Sequence, residues 1–464
     1  MSSGLISHDR RPQILSDELM HDPQLPQAPL GLFARPEFRW GFTVGAVGLV
    51  LRIGFWLSYA PVSYGATPSY MRLATALKDA GRSGSDATRV PGYPVFLALL
   101  GGDPELIWIA QMALGWGISM LLFVFAWRAA GSPAFGALVG LLYNFIPGPV
   151  FFEANLLSET LTAFFLVMSL ALLVGVDRAG SRRRAYGLAL AMGISASLAA
   201  LVRPLFFLLP VWLLIFVWFR PGGWNLRLAL IYASAPVLLL GAWLTWVYTT
   251  YDMFAPTTLG GYQLVQHTGE YFEFLPDEVA PLRDVYLEYR DAQIAERGTQ
   301  TNAIWDAIPE MTEVSGLSFF GLSAELQRLS LQLIVQHPKL YLANVAQGWV
   351  DFWKAPVFWD RDAVRSELIG GLFAAWVVVG RLFTLIANAA FLAGSVLVVV
   401  SRRVRGRLGL DRYILVTGGL VWLASIVQTF ADHGDNPRFL IPLQMFVFYM
   451  VASWMWQWKG TRTA

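Results

Sequence analysis

Residues 156–176 read LLSETLTAFFLVMSLALLVGV, and residues 177–184 read DRAGSRRR. No charge interrupts the first stretch between Glu159 and Asp177. It is long enough to cross a hydrocarbon layer about 30 Å thick, which takes about 20 apolar residues. The second stretch sets Arg178, Arg182, Arg183 and Arg184 at one end. Arginine-rich short loops stay on the cytoplasmic side of a membrane. This one passage therefore gives both a span and its direction, with Glu159 at the arginine-poor end.

Working outward, nine more runs read as spans: residues 40–60, 104–127, 134–151, 185–202, 205–219, 228–248, 373–400, 413–430 and 439–456. Arg402, Arg403, Arg405 and Arg407 form a second basic cluster, and residues 220–227 form a third basic loop. All three fall on the same side. The expected fold is an all-α polytopic membrane protein with about ten transmembrane helices. Residues 1–38 are expected to form a disordered cytoplasmic tail, polar and proline-rich. Residues 39–248 form an N-terminal transmembrane module whose first outer loop is 61–90. Residues 249–370 form a large outer loop, 371–458 the last transmembrane helices and 459–464 a cytoplasmic tail. Both termini are expected on the cytoplasmic side of a bacterial inner membrane, and no cleavable signal peptide is expected in residues 1–38.

Composition agrees. The chain has 464 residues, of which 56% are hydrophobic and 14% charged, and its mean hydropathy is +0.50. A soluble protein carries about 25% charged residues. The 19 tryptophans suit interfacial belts. A net charge of +2, with its basic residues in cytoplasmic loops, is too small to suggest a nucleic-acid partner, and none is expected. The absence of cysteine excludes thiol catalysis, disulfides and thiolate metal sites. Nucleotide-binding glycine motifs are absent; Gly260-Gly261 and Gly370-Gly371 read as turn or packing signals.

The arginine-poor side holds the residues with chemistry. In the first outer loop Tyr70, Leu73, Ala74 and Leu77 recur at helical spacing, which predicts a short interfacial amphipathic helix. The large loop is rich in acids, and residues 277–297 and 322–352 read as helices. Glu153 and Glu159 flank the head of the fourth span, where a carboxylate is costly and functional or paired; an acid in a first helical turn also suits the helix dipole. Arg89, Arg203 and Arg438 are isolated arginines on the side that otherwise avoids them. A guanidinium fork matches two phosphate oxygens, although a lone arginine at a helix end also snorkels. Asp86 reads as a loop acid or a general base. His433 and Asp435 are two candidate metal ligands, a weak signal. His267 and His337 read as structural, and Arg52 stands unusually inside the first span.

These motifs resemble the GT-C membrane glycosyltransferases, in the branch of bacterial protein-mannosyltransferase-like and aminoarabinose-transferase-like enzymes. The resemblance rests on Tyr70, Leu73 and Ala74 followed by Arg89-Val90-Pro91-Gly92-Tyr93-Pro94, and on Leu157-Ser158-Glu159-Thr160-Leu161. It rests also on His337-Pro338 with Phe352-Trp353-Lys354-Ala355-Pro356, and on Asn436-Pro437-Arg438-Phe439-Leu440-Ile441-Pro442. It implies a polyprenyl-phosphate-linked sugar donor, a glycan, lipid or protein acceptor, and a site between the outer loops and the membrane. A divalent metal ion is an option it leaves open. The family carries an acid three or four positions before the tyrosine, as base or metal ligand. This chain has Thr67 and Ala66 there. Another acid then takes the role, or the substrate differs, or this member is inactive.

The chemistry follows the same line. Outside the membrane a sugar must arrive activated on a lipid, so the leaving group is a polyprenyl phosphate. Its developing charge needs cations: Arg89, Arg203 and Arg438, with Tyr93, His433 and Asp435 also expected at the substrate. The acceptor hydroxyl needs a carboxylate base: Glu153, Glu159 or Asp86. Direct displacement inverts the anomeric centre. The alternatives are a lipid-linked oligosaccharide polymerase or ligase, and a lipid-sugar flippase or transporter.

Overall fold

The computed structural model describes residues 35–460 apart from Gly222, Trp224, Gly409 and Asp435. Among the described residues the protein is helical, with one isolated bridge between Val62 and Asn155 and no strand. Among these residues eight helices are long and apolar enough to cross a membrane, or nine if one bent pair is a single span.

The first half begins with α1 (Pro36–Ser58), then two short helices on the arginine-poor side, α2 (Thr67–Ala80) and α3 (Gly92–Leu99). Then come α4 (Pro104–Ala130), α5 (Pro133–Phe145), α6 (Pro147–Ala154), α7 (Glu159–Asp177) and α8 (Arg182–Val202). α9 (Leu209–Trp218) and α10 (Leu226–Tyr251) complete it. Local chemistry sets several starts. The Asp103 carboxylate accepts from the Glu105 and Leu106 amides ahead of α4, with Pro104 in the first turn. This is an N-cap joined to a proline that needs no donor. Ser132 and Ser181 cap α5 and α8 in the same way.

The tenfold count is where structure and sequence differ. Every one of the ten runs is helical, but the run at 134–151 is two helices, α5 and α6, meeting at 57°. Pro147 cannot donate to the α5 ladder, and it pushes Ile146 into extended backbone (φ −86°, ψ 120°). The run at 205–219 is shorter: a 3₁₀ turn, Pro204–Leu208, precedes the ten residues of α9. At 1.5 Å per residue that helix spans about 15 Å.

The large loop holds α11 (Gly260–Thr268), α12 (Ala280–Arg297), α13 (Ala303–Ser315), α14 (Phe319–Gln336) and α15 (Pro338–Phe352). Its helices bury Tyr262, Phe272, Tyr286, Met311 and Leu326 in a core of their own. The helix expected over 322–352 breaks at His337-Pro338, again before a proline. The chain then enters α16 (Glu367–Val400), α17 (Arg402–Leu408), α18 (Arg412–Ala431), the single turn α19 (Asn436–Phe439) and α20 (Gln444–Gly460). The tail expected at 1–38 lies outside the described residues as far as residue 34, and α1 already starts at Pro36.

α8 packs between α7 and α10. Its buried face is small, Ala189, Gly193, Ala196, Ala199 and Ala200, and small residues let helices approach closely where hydrocarbon supplies no hydrophobic drive. That close packing brings the ends of α7 and α8 together, and their ends carry the site.

Candidate functional site

Glu159 is the first residue of α7 and is fully buried. Arg203 follows α8 at the point where Pro204 stops that helix; its backbone is extended. Its Nη1 lies 3.1 Å from Glu159 Oε1, and its guanidinium sits over the Phe439 ring at 4.3 Å. Nη1 is within ion-pair reach but makes no hydrogen bond. Arg438, in α19, donates through Nε to the same Glu159 oxygen. One buried carboxylate oxygen therefore holds two guanidinium groups, each at most 11% exposed.

Arg89 lies in the loop between α2 and α3. Its guanidinium stacks over the Tyr70 ring at 5.2 Å, its Nε is shielded from solvent, and that nitrogen has no hydrogen-bond partner. Tyr70 connects the two halves of the site. Its hydroxyl is 3.5 Å from Ser158 Oγ, next in the chain to Glu159, and its ring meets Tyr93 edge-on at 4.9 Å. The expected interfacial helix is present as α2, with Tyr70, Leu73 and Ala74 on its buried face. Gly92 explains the Pro-Gly-Tyr-Pro sequence: a Cβ there would lie 2.6 Å from the Leu201 carbonyl oxygen. Only glycine lets α3 start against the end of α8, so Arg89 and Arg203 come to one place.

The loop before Arg89 is tightly specified. Ala87 has φ +54°, a left-handed conformation that costs an L-residue about 1–2 kcal/mol. The Thr258 amide donates to the Ala87 carbonyl at 2.9 Å, and the Tyr251 hydroxyl to the Ser85 carbonyl at 3.0 Å. Asp86 is half-buried. It accepts from the Thr88 amide (2.9 Å), the Thr88 hydroxyl (2.6 Å) and Arg72 Nη2 (2.7 Å). Burial alone would raise its carboxyl, but the Thr88 and Arg72 hydrogen bonds outweigh it and hold the group below the usual carboxylate range.

Beside this cluster runs a groove of about 570 Å³ with a mostly apolar lining. Leu77, Val95, Leu99, Leu239, Trp243 and Trp246 face it, and Lys78 and Ser85 lie at it. Pro91 and Leu201, two residues from Arg89 and Arg203, line it too.

The structure thus gathers Glu159, Arg203, Arg438, Arg89 and Tyr93, with Asp86 in the same loop as Arg89. Glu153 lies elsewhere, fully buried at the end of α6, and accepts from Arg52 Nη2 at 2.6 Å and the Tyr143 hydroxyl at 3.1 Å. His433 packs against the large loop, its ring 5.4 Å from His267 and its Nε2 3.9 Å from Asp351 Oδ2. Asp435 lies outside the described residues. Among the described residues no three His, Asp or Glu side chains gather to hold a metal ion. The sequence reading passed over Gln111, whose signal was a lone amide within an apolar run, and it gave Tyr70 no role beyond its motif.

No protein-family profile and no curated protein matches the chain. Solved structures do. An oligosaccharyltransferase, AglB, from Archaeoglobus fulgidus, in complex with an inhibitory peptide and a dolichol-phosphate, aligns with 90% of this chain at 12% identity and TM-score 0.49. The Archaeoglobus fulgidus oligosaccharyltransferase tethered to an acceptor peptide aligns with 89% of the chain at 12% identity and TM-score 0.45. ArnT from Cupriavidus metallidurans, bound to undecaprenyl phosphate, aligns with 92% of this chain and 78% of its own at 13% identity and TM-score 0.35. The chain spans about half the length of the two archaeal enzymes, 50% and 49%.

Proposed function

We propose that this chain is a membrane glycosyltransferase that moves a sugar from a polyprenyl-phosphate carrier to an acceptor at the outer face of the inner membrane. The observation that carries the reading is Arg89. Glu159 already holds Arg203 and Arg438, whereas Arg89 rests on the Tyr70 ring, and its buried Nε has no partner among the described residues. A guanidinium held on an aromatic ring, with its Nε unpaired, suits a phosphate. The groove that begins at Pro91 and Leu201 suits the apolar chain attached to that phosphate.

In this reading the phosphate sits between Arg89 and the Arg203–Arg438 pair. Glu159 keeps those two guanidinium groups together, so they do not repel each other before the ligand arrives. The acceptor oxygen attacks the anomeric carbon as the bond from that carbon to the phosphate oxygen breaks. The leaving phosphate takes the electron pair, and the arginines stabilise the charge it gains. The acceptor proton passes to a carboxylate. We assign this role to Asp86, whose arginine partner, Arg72, is exposed, whereas Glu159 and Glu153 are fully buried against theirs. The three hydrogen bonds to Asp86 keep it ionised and oriented. Attack opposite the leaving group inverts the anomeric centre.

The test is a transfer assay with the purified full chain and a panel of polyprenyl-phosphate sugars. Consumption of one donor, lost in Arg89→Ala with the protein still folded, supports the reading. Removing one charge-stabilising donor costs about 10²–10³-fold in rate. Movement of a lipid across the bilayer with no donor consumed would replace the transferase by a flippase.

A further inference from the structure

Gln111 lies in α4 and is fully buried. Its Nε2 donates to the Glu153 carbonyl at 2.9 Å and to the Asn155 carbonyl at 2.9 Å. Its Oε1 accepts from the Tyr93 hydroxyl at 3.1 Å. One amide therefore ties α4 to the α6–α7 link, which leads into Ser158 and Glu159, and to α3, whose Tyr93 supports Tyr70 beneath Arg89. On its far side Glu153 is fixed in turn. Arg52 Nη2 reaches its Oε1 at 2.6 Å, and Arg52 Nη1 donates to Asn144 Oδ1 at 2.8 Å and to the Gly48 carbonyl at 3.0 Å. α4 has glycine where this carboxylate passes, since a Cβ on Gly115 would lie 2.0 Å from Glu153 Oε1.

A buried ion pair is a poor source of stability, because desolvating two charges offsets their attraction; an apolar pair of similar volume is often as stable. Its best-attested use is to specify one register. We infer that Gln111 and the Arg52–Glu153 pair are positioning residues that set the Arg89 stack and the Glu159 arginine pair at the spacing an anionic lipid head group needs. The inference rests on the proposed phosphate site, and it assigns a role to three polar residues inside apolar helices. The Gln111 amide makes three hydrogen bonds, and moving it would leave two carbonyls unpaired in a medium without water, so it fixes the local geometry.

Two variants test it in the purified full chain: Gln111→Leu, and the double variant Arg52→Met with Glu153→Leu. The probe is undecaprenyl phosphate in detergent micelles. The expected result is a Kd at least tenfold weaker in both, with the double variant melting within a few degrees of the natural protein. Arg89→Ala separates the two claims: unchanged binding there overturns the phosphate site itself. A readout without ligand then decides the positioning role. The chain has no cysteine, so spin labels on Thr75→Cys in α2 and Leu138→Cys in α5 report how firmly these two helices are held relative to each other. A shifted or broadened distance distribution in either variant supports the inference. Unchanged distances together with unchanged Kd in both variants overturn it.

Discussion

Gly92 and Leu201 are in backbone contact: a Cβ on Gly92 would sit 2.6 Å from the Leu201 carbonyl oxygen and 2.7 Å from a Val202 methyl. This contact joins the loop of Arg89 to the end of α8, and so to Arg203. Gly92→Ala should push α3 away from α8. The expected outcome is a protein that still inserts but loses at least tenfold in affinity for undecaprenyl phosphate. Equal affinity would show that the two arginines do not depend on this contact.

Glu159 is a counter-ion of buried Arg203 and of the less buried Arg438. Replacing it by Gln keeps the shape and removes the charge. Leaving one side of a buried pair unmatched costs about 3–5 kcal/mol, so Glu159→Gln should melt far below the natural protein in detergent. The isosteric amide makes charge the only variable. A melting curve that does not move would mean that water reaches these guanidinium groups freely.

Ala87 is the strained residue of the Arg89 loop, with φ +54° and no exposed surface. Glycine adopts this conformation readily, whereas a β-branched residue is a marked outlier. Ala87→Gly should leave stability within about 1 kcal/mol, its relief of strain opposed by added chain entropy. Ala87→Val should destabilise the loop by more and free Asp86 from Thr88. Limited proteolysis at residues 81–91 would rank the two; a loop equally protected in both would remove strain from the account.

His267 gives a pH dependence. Burial first, then the neighbouring His433, pushes its imidazole down to about 3. The unfolded chain titrates near 6.5. Between those values the unfolded state holds one more proton than the folded state. Stability is therefore complete above about 6.5 and falls as the pH drops towards 3, by up to about 1.4 kcal/mol per pH unit. His267→Phe should flatten the fall in melting temperature between pH 7 and pH 5. A variant with the same slope would place the titration elsewhere, with His433 next to be replaced.

Much of this architecture was legible because a bilayer imposes simple rules. The ten apolar runs are all helices in the structure. What periodicity could not show was how proline divides them: Pro147 bends one run by 57°, and Pro204 and Pro210 shorten another to the ten residues of α9. Arg89, Arg203, Arg438 and Glu159 stood out for a physical reason, since each is a charge at a boundary that avoids charge. Gln111 did not, because an amide costs less in such a place and leaves a weaker mark. The two glutamates, six positions apart, were indistinguishable by composition or by place in the chain.

The amino-acid sequence by itself determined which segments leave water and which end of each holds the arginines, because hydrocarbon length and charge are properties of a continuous stretch. Only the tertiary structure decided which charges meet. Glu153 turns inward to Arg52, and Glu159 takes Arg203 from the end of the next helix and Arg438 from α19, 279 positions on. Arg89 is left on an aromatic ring with its Nε unpaired. Pairing acts through space and depends on how closely α7, α8 and α19 pack. That closeness comes from small side chains and a glycine against a carbonyl, which no pattern of hydropathy records.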